Sequence, residues 1–148
     1  SNNFLVLIAC FIMALLTGDG AIFLITWNAS VWGTIFGITA KHASLFSGGN
    51  AYLTFILIML IVFPHMILEG ISYFLAAISG SIISKDVILE TFMSNRFFEV
   101  FGFNLYLLLF GLICLLFGAF VETFVLNNVG IYQEIIQKSL QAVTSSGL

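Results

Sequence analysis

The chain is partitioned by its charges, and it has very few of them. Residues 4–18 contain no Asp, Glu, Lys or Arg, and after Asp19 the stretch 20–40 is again free of them. The run 43–68 ends at Glu69, 70–84 follows, and 100–121 reaches Glu122 without another charge. In all, 4 Lys+Arg and 7 Asp+Glu are spread over 148 residues, so 7% of the chain is charged while 61% is hydrophobic. Soluble domains carry about 25% charged residues. With a mean hydropathy of +1.16, this chain cannot cover a water-facing surface. The balance argues against a soluble enzyme and a disordered regulator. It also argues against a nucleic-acid binder, because no basic patch exists to neutralise phosphates. Cys10 and Cys114 lie inside apolar runs, so neither a disulfide framework nor a zinc site is expected. The composition is that of an integral membrane protein.

Length then sorts the apolar runs. A spanning helix needs roughly 20 residues, at about 1.5 Å rise across about 30 Å of hydrocarbon. Residues 103–126 fit as one plain span. Residues 4–38 as a single helix would be roughly 50 Å long, and Gly18-Asp19-Gly20 is a break signal near its middle. Residues 51–83 have the same excess length, and Pro64 interrupts them. The expected fold is an all-α, polytopic transmembrane bundle with broken or re-entrant segments at 4–17/21–38 and 51–63/65–83, then the span 103–126. Reversal at Pro64 would place Lys41, Lys85 and Arg96 on one side of the membrane and Lys138 on the other, the arrangement that the positive-inside tendency favours.

Residues 1–126 are thus expected to form the transmembrane domain and 127–148 an amphipathic tail. Tyr132, Ile136, Leu140 and Val143 recur there at helical spacing, as on a surface helix lying on the bilayer or on a neighbouring subunit. Residues 41–50 form a short polar connection, and 85–99 read as an amphipathic interfacial segment.

Few residues can carry chemistry. His65 and Glu69 share one helix face just after Pro64, and Tyr73 follows four further on. A carboxylate at mid-membrane costs about 2.5–3.5 kcal/mol on insertion scales, so it needs a partner. His65 is the expected one, either as a packing pair or as a proton or ion site. Asp19 between its glycines can cap the following helix, and Glu122 lies near a span end. With Asn28, an amide in an apolar run, these residues make up the candidate intramembrane polar centre. Ala29, Gly33 and Gly37 form one small-residue track, and Ser72, Ala76 and Gly80 another; both are expected at helix contacts. No nucleophile elbow, metalloprotease motif or phosphate loop is present, and no cofactor or metal is expected.

Three stretches together resemble a known family. They are Gly20-Ala21-Ile22-Phe23-Leu24-Ile25-Thr26-Trp27-Asn28-Ala29-Ser30-Val31, then Pro64-His65-Met66-Ile67-Leu68-Glu69-Gly70-Ile71-Ser72-Tyr73-Phe74, and near the end Ala119-Phe120-Val121-Glu122-Thr123-Phe124. In this order and spacing the chain resembles the stage II sporulation protein M family, particularly its archaeal members. The resemblance covers most of residues 3–126. Met66 departs from the Gly expected after the His, and Asp19 stands where a small residue is expected; His65, Glu69, Asn28 and Glu122 match better. The resemblance implies a small polytopic helical protein, with an earlier membrane helix expected before Ser1. The bacterial namesake is a membrane partner of peptidoglycan-degrading proteins in sporulation and is not itself regarded as an enzyme.

The resulting expectation is a non-enzymatic, multi-pass protein of the cell membrane that serves as a scaffold or assembly subunit. Its partners would be the lipid bilayer and either further copies of itself or other membrane proteins, with no nucleic acid. The alternative is a small transporter, channel or lipid-handling protein with a polar site between broken helices. A wet cavity at His65 and Glu69 would favour that alternative, and a dry core with an apolar outer face would favour the scaffold.

Overall fold

The computed structural model describes residues 2–89 and 94–146, and among these residues it contains only helices and their connecting turns. The helices are α1 (Asn2–Thr17), α2 (Ala21–Ser47), α3 (Ala51–Leu89), α4 (Asn95–Asn128) and α5 (Gly130–Ser146). Three of them, over Ala21–Leu45, Ala51–Lys85 and Asn95–Asn128, are long and apolar enough to cross a membrane. The chain is an all-α, multi-pass membrane protein.

The first two breaks between helices have local causes. Gly18 adopts φ 78°, a left-handed conformation that closes α1. Its N–H donates to the Ala14 carbonyl at 2.8 Å. The Thr17 hydroxyl donates to the Met13 carbonyl at 2.7 Å and accepts from the Gly20 N–H at 2.9 Å. The Asp19 backbone carbonyl accepts from Ile22 as α2 begins. Helix α2 runs past the expected 38 to Ser47, where Gly48 (φ 68°) ends it and Gly49 N–H returns to the Ser44 carbonyl at 3.1 Å. The polar connection therefore shrinks to three residues. Its last member, Asn50, caps α3 by accepting from Tyr52 N–H at 2.9 Å. Ser94 caps α4 through Phe97 N–H at 3.1 Å. The interfacial segment expected over 85–99 is helical at both ends, and its residues 90–93 lie outside the described residues.

Pro64 does not reverse the chain. Helix α3 continues through it for 39 residues, roughly 58 Å at helical rise. The proline gives up one intrahelical bond and crowds the carbonyl of Leu60. Ending the helix there would leave up to four carbonyls and four N–H groups unpaired in hydrocarbon, a far larger penalty. The continuous helix is the less costly arrangement.

The chain forms two compact units, the first being Ser1–Asn28 with Ile67–Gly118. Its core joins Leu7, Cys10 and Ala14 of α1 to Tyr73 and Ala76 of α3 and Leu115 of α4. Ser72 and Ala76 are fully buried. Gly80 meets the backbone of Phe11 and the Cβ of Ala14, while a Cβ at Gly111 would lie 3.2 Å from the Ser72 carbonyl oxygen. Small side chains on α3 and α4 thus let backbones approach where lipid offers no hydrophobic drive.

The second unit is Ala29–Met66 with Ala119–Leu148. Its core contains Phe36, Ala40 and Ala43 of α2, Ile58 and Val62 of α3, and Ile135 of α5, with Trp32 and Tyr132 packed against it. Helix α5, the amphipathic tail, turns Tyr132 and Ile135 onto its own chain and leaves Ile131 and Leu140 exposed.

Candidate functional site

Polar side chains gather in two places. In the first unit Glu69 is buried, with 2% of its surface exposed, and its carboxylate accepts a hydrogen bond from the Asn3 amide across 66 residues of sequence. The neighbouring Ser72 hydroxyl donates to the Glu69 backbone carbonyl at 2.6 Å. An amide donor on α1 thereby satisfies an acidic side chain on α3, which lowers the penalty of burying it. Further along α3, the Ser79 hydroxyl donates to the backbone carbonyl of Asn104 on α4 at 2.7 Å. The Asn104 side-chain amide donates to the Val100 carbonyl at 2.8 Å.

The second unit holds His65, which is 2% exposed. Its ring lies 5.4 Å from that of Trp32, tilted by 53°. Neither ring nitrogen has a hydrogen-bond partner among the described residues. The expected bond between His65 and Glu69 is therefore not formed. Helical spacing of four brings Cβ atoms near each other, but it does not decide which competitor captures each head group. Here Asn3 takes the carboxylate, and the Trp32 ring covers the imidazole.

A cavity of about 40 Å³ opens beside His65, lined also by Trp32, Val62, Glu122, Val125 and Tyr132. Glu122 is half-buried there. Burial pushes the Tyr132 phenol above its ordinary value, and the Glu122 charge pushes it further in the same direction.

The remaining residues of the expected centre are placed differently. Asp19 is exposed at the turn between α1 and α2, and Asn28 is half-buried on α2. Ala29 and Gly33 are exposed, and among the described residues a Cβ on Gly33 or Gly37 would meet nothing beyond its own helix within 4 Å. Among the described residues, no three His, Cys, Asp or Glu side chains gather as metal ligands. Sequence reasoning passed over Asn3, Trp32, Ser79, Asn104 and Tyr132 as parts of these clusters. Asn104 carried a usable signal, being the amide inside the otherwise apolar run 100–121.

Long apolar helices that bury His65 and Glu69 among them define a polytopic helical membrane protein. The family model for stage II sporulation protein M matches residues 1–125, and the chain belongs to that family. No curated protein and no solved structure matches the chain.

Proposed function

We propose that the protein is a non-enzymatic assembly subunit of a complex in the cell membrane, which contacts further copies of itself or other membrane proteins through α2. The observation that carries this reading is the Ala29–Gly33–Gly37 track. Among the described residues, nothing beyond the helix's own adjoining backbone lies within 4 Å of a Cβ position on Gly33 or Gly37, although small residues at this spacing suit close helix approach. Ile35 and Ile38 beside the track are exposed as well, so a second helix would find a shallow groove rimmed by apolar side chains. The transport alternative has less support. The cavity at His65 measures only about 40 Å³, whereas small-molecule sites usually occupy about 300–1,000 Å³. A groove of about 560 Å³ between α1 and α4 is lined by apolar side chains such as Phe4, Leu7, Leu105 and Leu109 and suits bilayer hydrocarbon.

The test is stoichiometry in lipid. Single-molecule photobleaching of the labelled protein in native-membrane discs should count more than one copy, or cross-linking from Gly33→Cys should capture a second membrane protein. Gly33→Leu combined with Gly37→Leu should abolish both while the chain stays folded. A wild type that is a single copy and cross-links to nothing would end this reading.

A further inference from the structure

His65 presents a problem that the assembly reading does not address. A neutral imidazole carries one donor and one acceptor, and a buried polar group left without partners costs about 1–3 kcal/mol. Both ring nitrogens of His65 lack a partner among the described residues, and the side chain is 98% enclosed (2% exposed). The adjoining cavity supplies what the ring needs. It measures about 40 Å³, and a site able to hold a water requires only about 10–15 Å³ together with 2–4 polar partners. The groups facing it from each packed element are Glu122 from α4 and Tyr132 from α5, while α2 contributes the uncharged Trp32 ring.

We propose that this cavity is an internal proton site, in which one or two waters bridge the His65 imidazole to the Glu122 carboxylate and the Tyr132 hydroxyl. In the neutral state of the ring a bridging water donates to its bare nitrogen. On protonation the ring takes one proton from bulk water. Both of its nitrogens then donate, and the bridging water turns to accept from His65 and donate to Glu122. Atoms and charge balance, with one hydronium consumed, one water released and an imidazolium–carboxylate pair formed. Tyr132 can donate to the same water in both states, so the site also ties α5 to α3 and α4 within this unit. The proposal is independent of whether α2 binds a partner, because none of its groups belongs to the Ala29–Gly33–Gly37 track.

The experiment uses the full chain in lipid nanodiscs, with the ring nitrogens of histidine labelled and His42→Gln introduced so that one signal remains. Magnetisation transfer from water to the ring, followed across pH, reports both the bridging water and the protonation midpoint. Water-to-ring transfer is expected in the wild type. Glu122→Gln should reduce proton affinity about tenfold, since a carboxylate lining the same cavity favours the charged ring. Glu122→Asp, which keeps the charge, should hold the midpoint within about twofold of the wild type by the same reasoning. No transfer in the wild type, or an unchanged midpoint in folded Glu122→Gln, overturns the proposal. If Glu122→Gln does not fold, the wild-type transfer together with Glu122→Asp decides.

Discussion

Gly80 of α3 lies against the main chain of Phe11 in α1, so close that a Cβ at position 80 would overlap the Phe11 carbonyl oxygen. The same Cβ would sit 3.0 Å from both the Ala14 Cβ and the Leu15 nitrogen. Two helices therefore meet here through backbone rather than through side chains. Neither neighbour can yield, because Phe11 and Leu15 present main-chain atoms held by the α1 hydrogen-bond ladder. The contact fixes how α1 seats on α3, and with it the position of Asn3 opposite Glu69.

Gly80→Val should therefore destabilise the protein by about 1–3 kcal/mol, the range for overpacking a core contact. Gly80→Ala should act in the same direction but less strongly. Gly33→Ala, where a Cβ meets nothing within 4 Å among the described residues, should not destabilise the isolated chain. Reversible unfolding in mixed micelles measures all three. Equal stability for Gly80→Val and Gly33→Ala would remove the backbone contact from the account.

The Asn3–Glu69 bond gives a second expectation. Glu69→Ala removes the acceptor and strands the half-buried Asn3 amide, which should cost about 1 kcal/mol. Glu69→Gln keeps an oxygen that can accept from Asn3 and should lose less. Replacing both partners, as Asn3→Leu with Glu69→Met, should recover part of the loss, because the Asn3 amide is then no longer left without its acceptor. Thermal unfolding in nanodiscs distinguishes these variants. A double variant as unstable as Glu69→Ala alone would show that the bond is not what holds this position.

Topology can be checked by labelling. Because α3 runs unbroken from Ala51 to Leu89, its two ends should open on opposite faces of the membrane. Cysteines replacing Ser47, at the end of α2 just before α3, and Lys85 are expected to react with impermeant reagent from opposite sides. The background should carry Cys10→Ala and Cys114→Ala. Labelling of both from one side would restore the reversal at Pro64.

The sequence made the helical membrane class legible because charge-free runs report directly on what hydrocarbon tolerates. The turn at Gly18 was equally legible, since glycines around an Asp are a strong local signal and the left-handed φ of Gly18 needs no long-range information. Pro64 was harder. A local rule counts the bond that proline removes, but it omits the larger penalty of two new helix ends in lipid. His65 and Glu69 show the same limit in side chains. Their spacing was readable, whereas the competition from Asn3, 66 residues before Glu69 in sequence, became visible only when α1 lay beside α3. Tyr132 was legible as part of an apolar stripe but not as a lining of the His65 cavity, because a stripe does not say what it will cover.

The last expectation concerns pH and the surface of α5. Glu134 and Lys138 form an i,i+4 ion pair, with the Glu on the N-terminal side, the more favourable orientation on a helix. The hydrogen bond from Lys138, aided by its charge, holds the Glu134 carboxyl below the usual carboxylate range, and burial opposes this only weakly. A carboxyl depressed in the folded state contributes stability that is present above its unfolded value and is lost as pH falls through its folded value. Lys138→Gln should therefore bring the Glu134 titration back up toward that range, as read from its carboxyl carbon by NMR. Raising the salt concentration should move the wild type in the same direction, since charges this exposed are screened. The global unfolding transition should hardly change, because exposed pairs contribute little to stability. A Glu134 titration that ignores both Lys138→Gln and salt would mean that the ion pair does not form in solution.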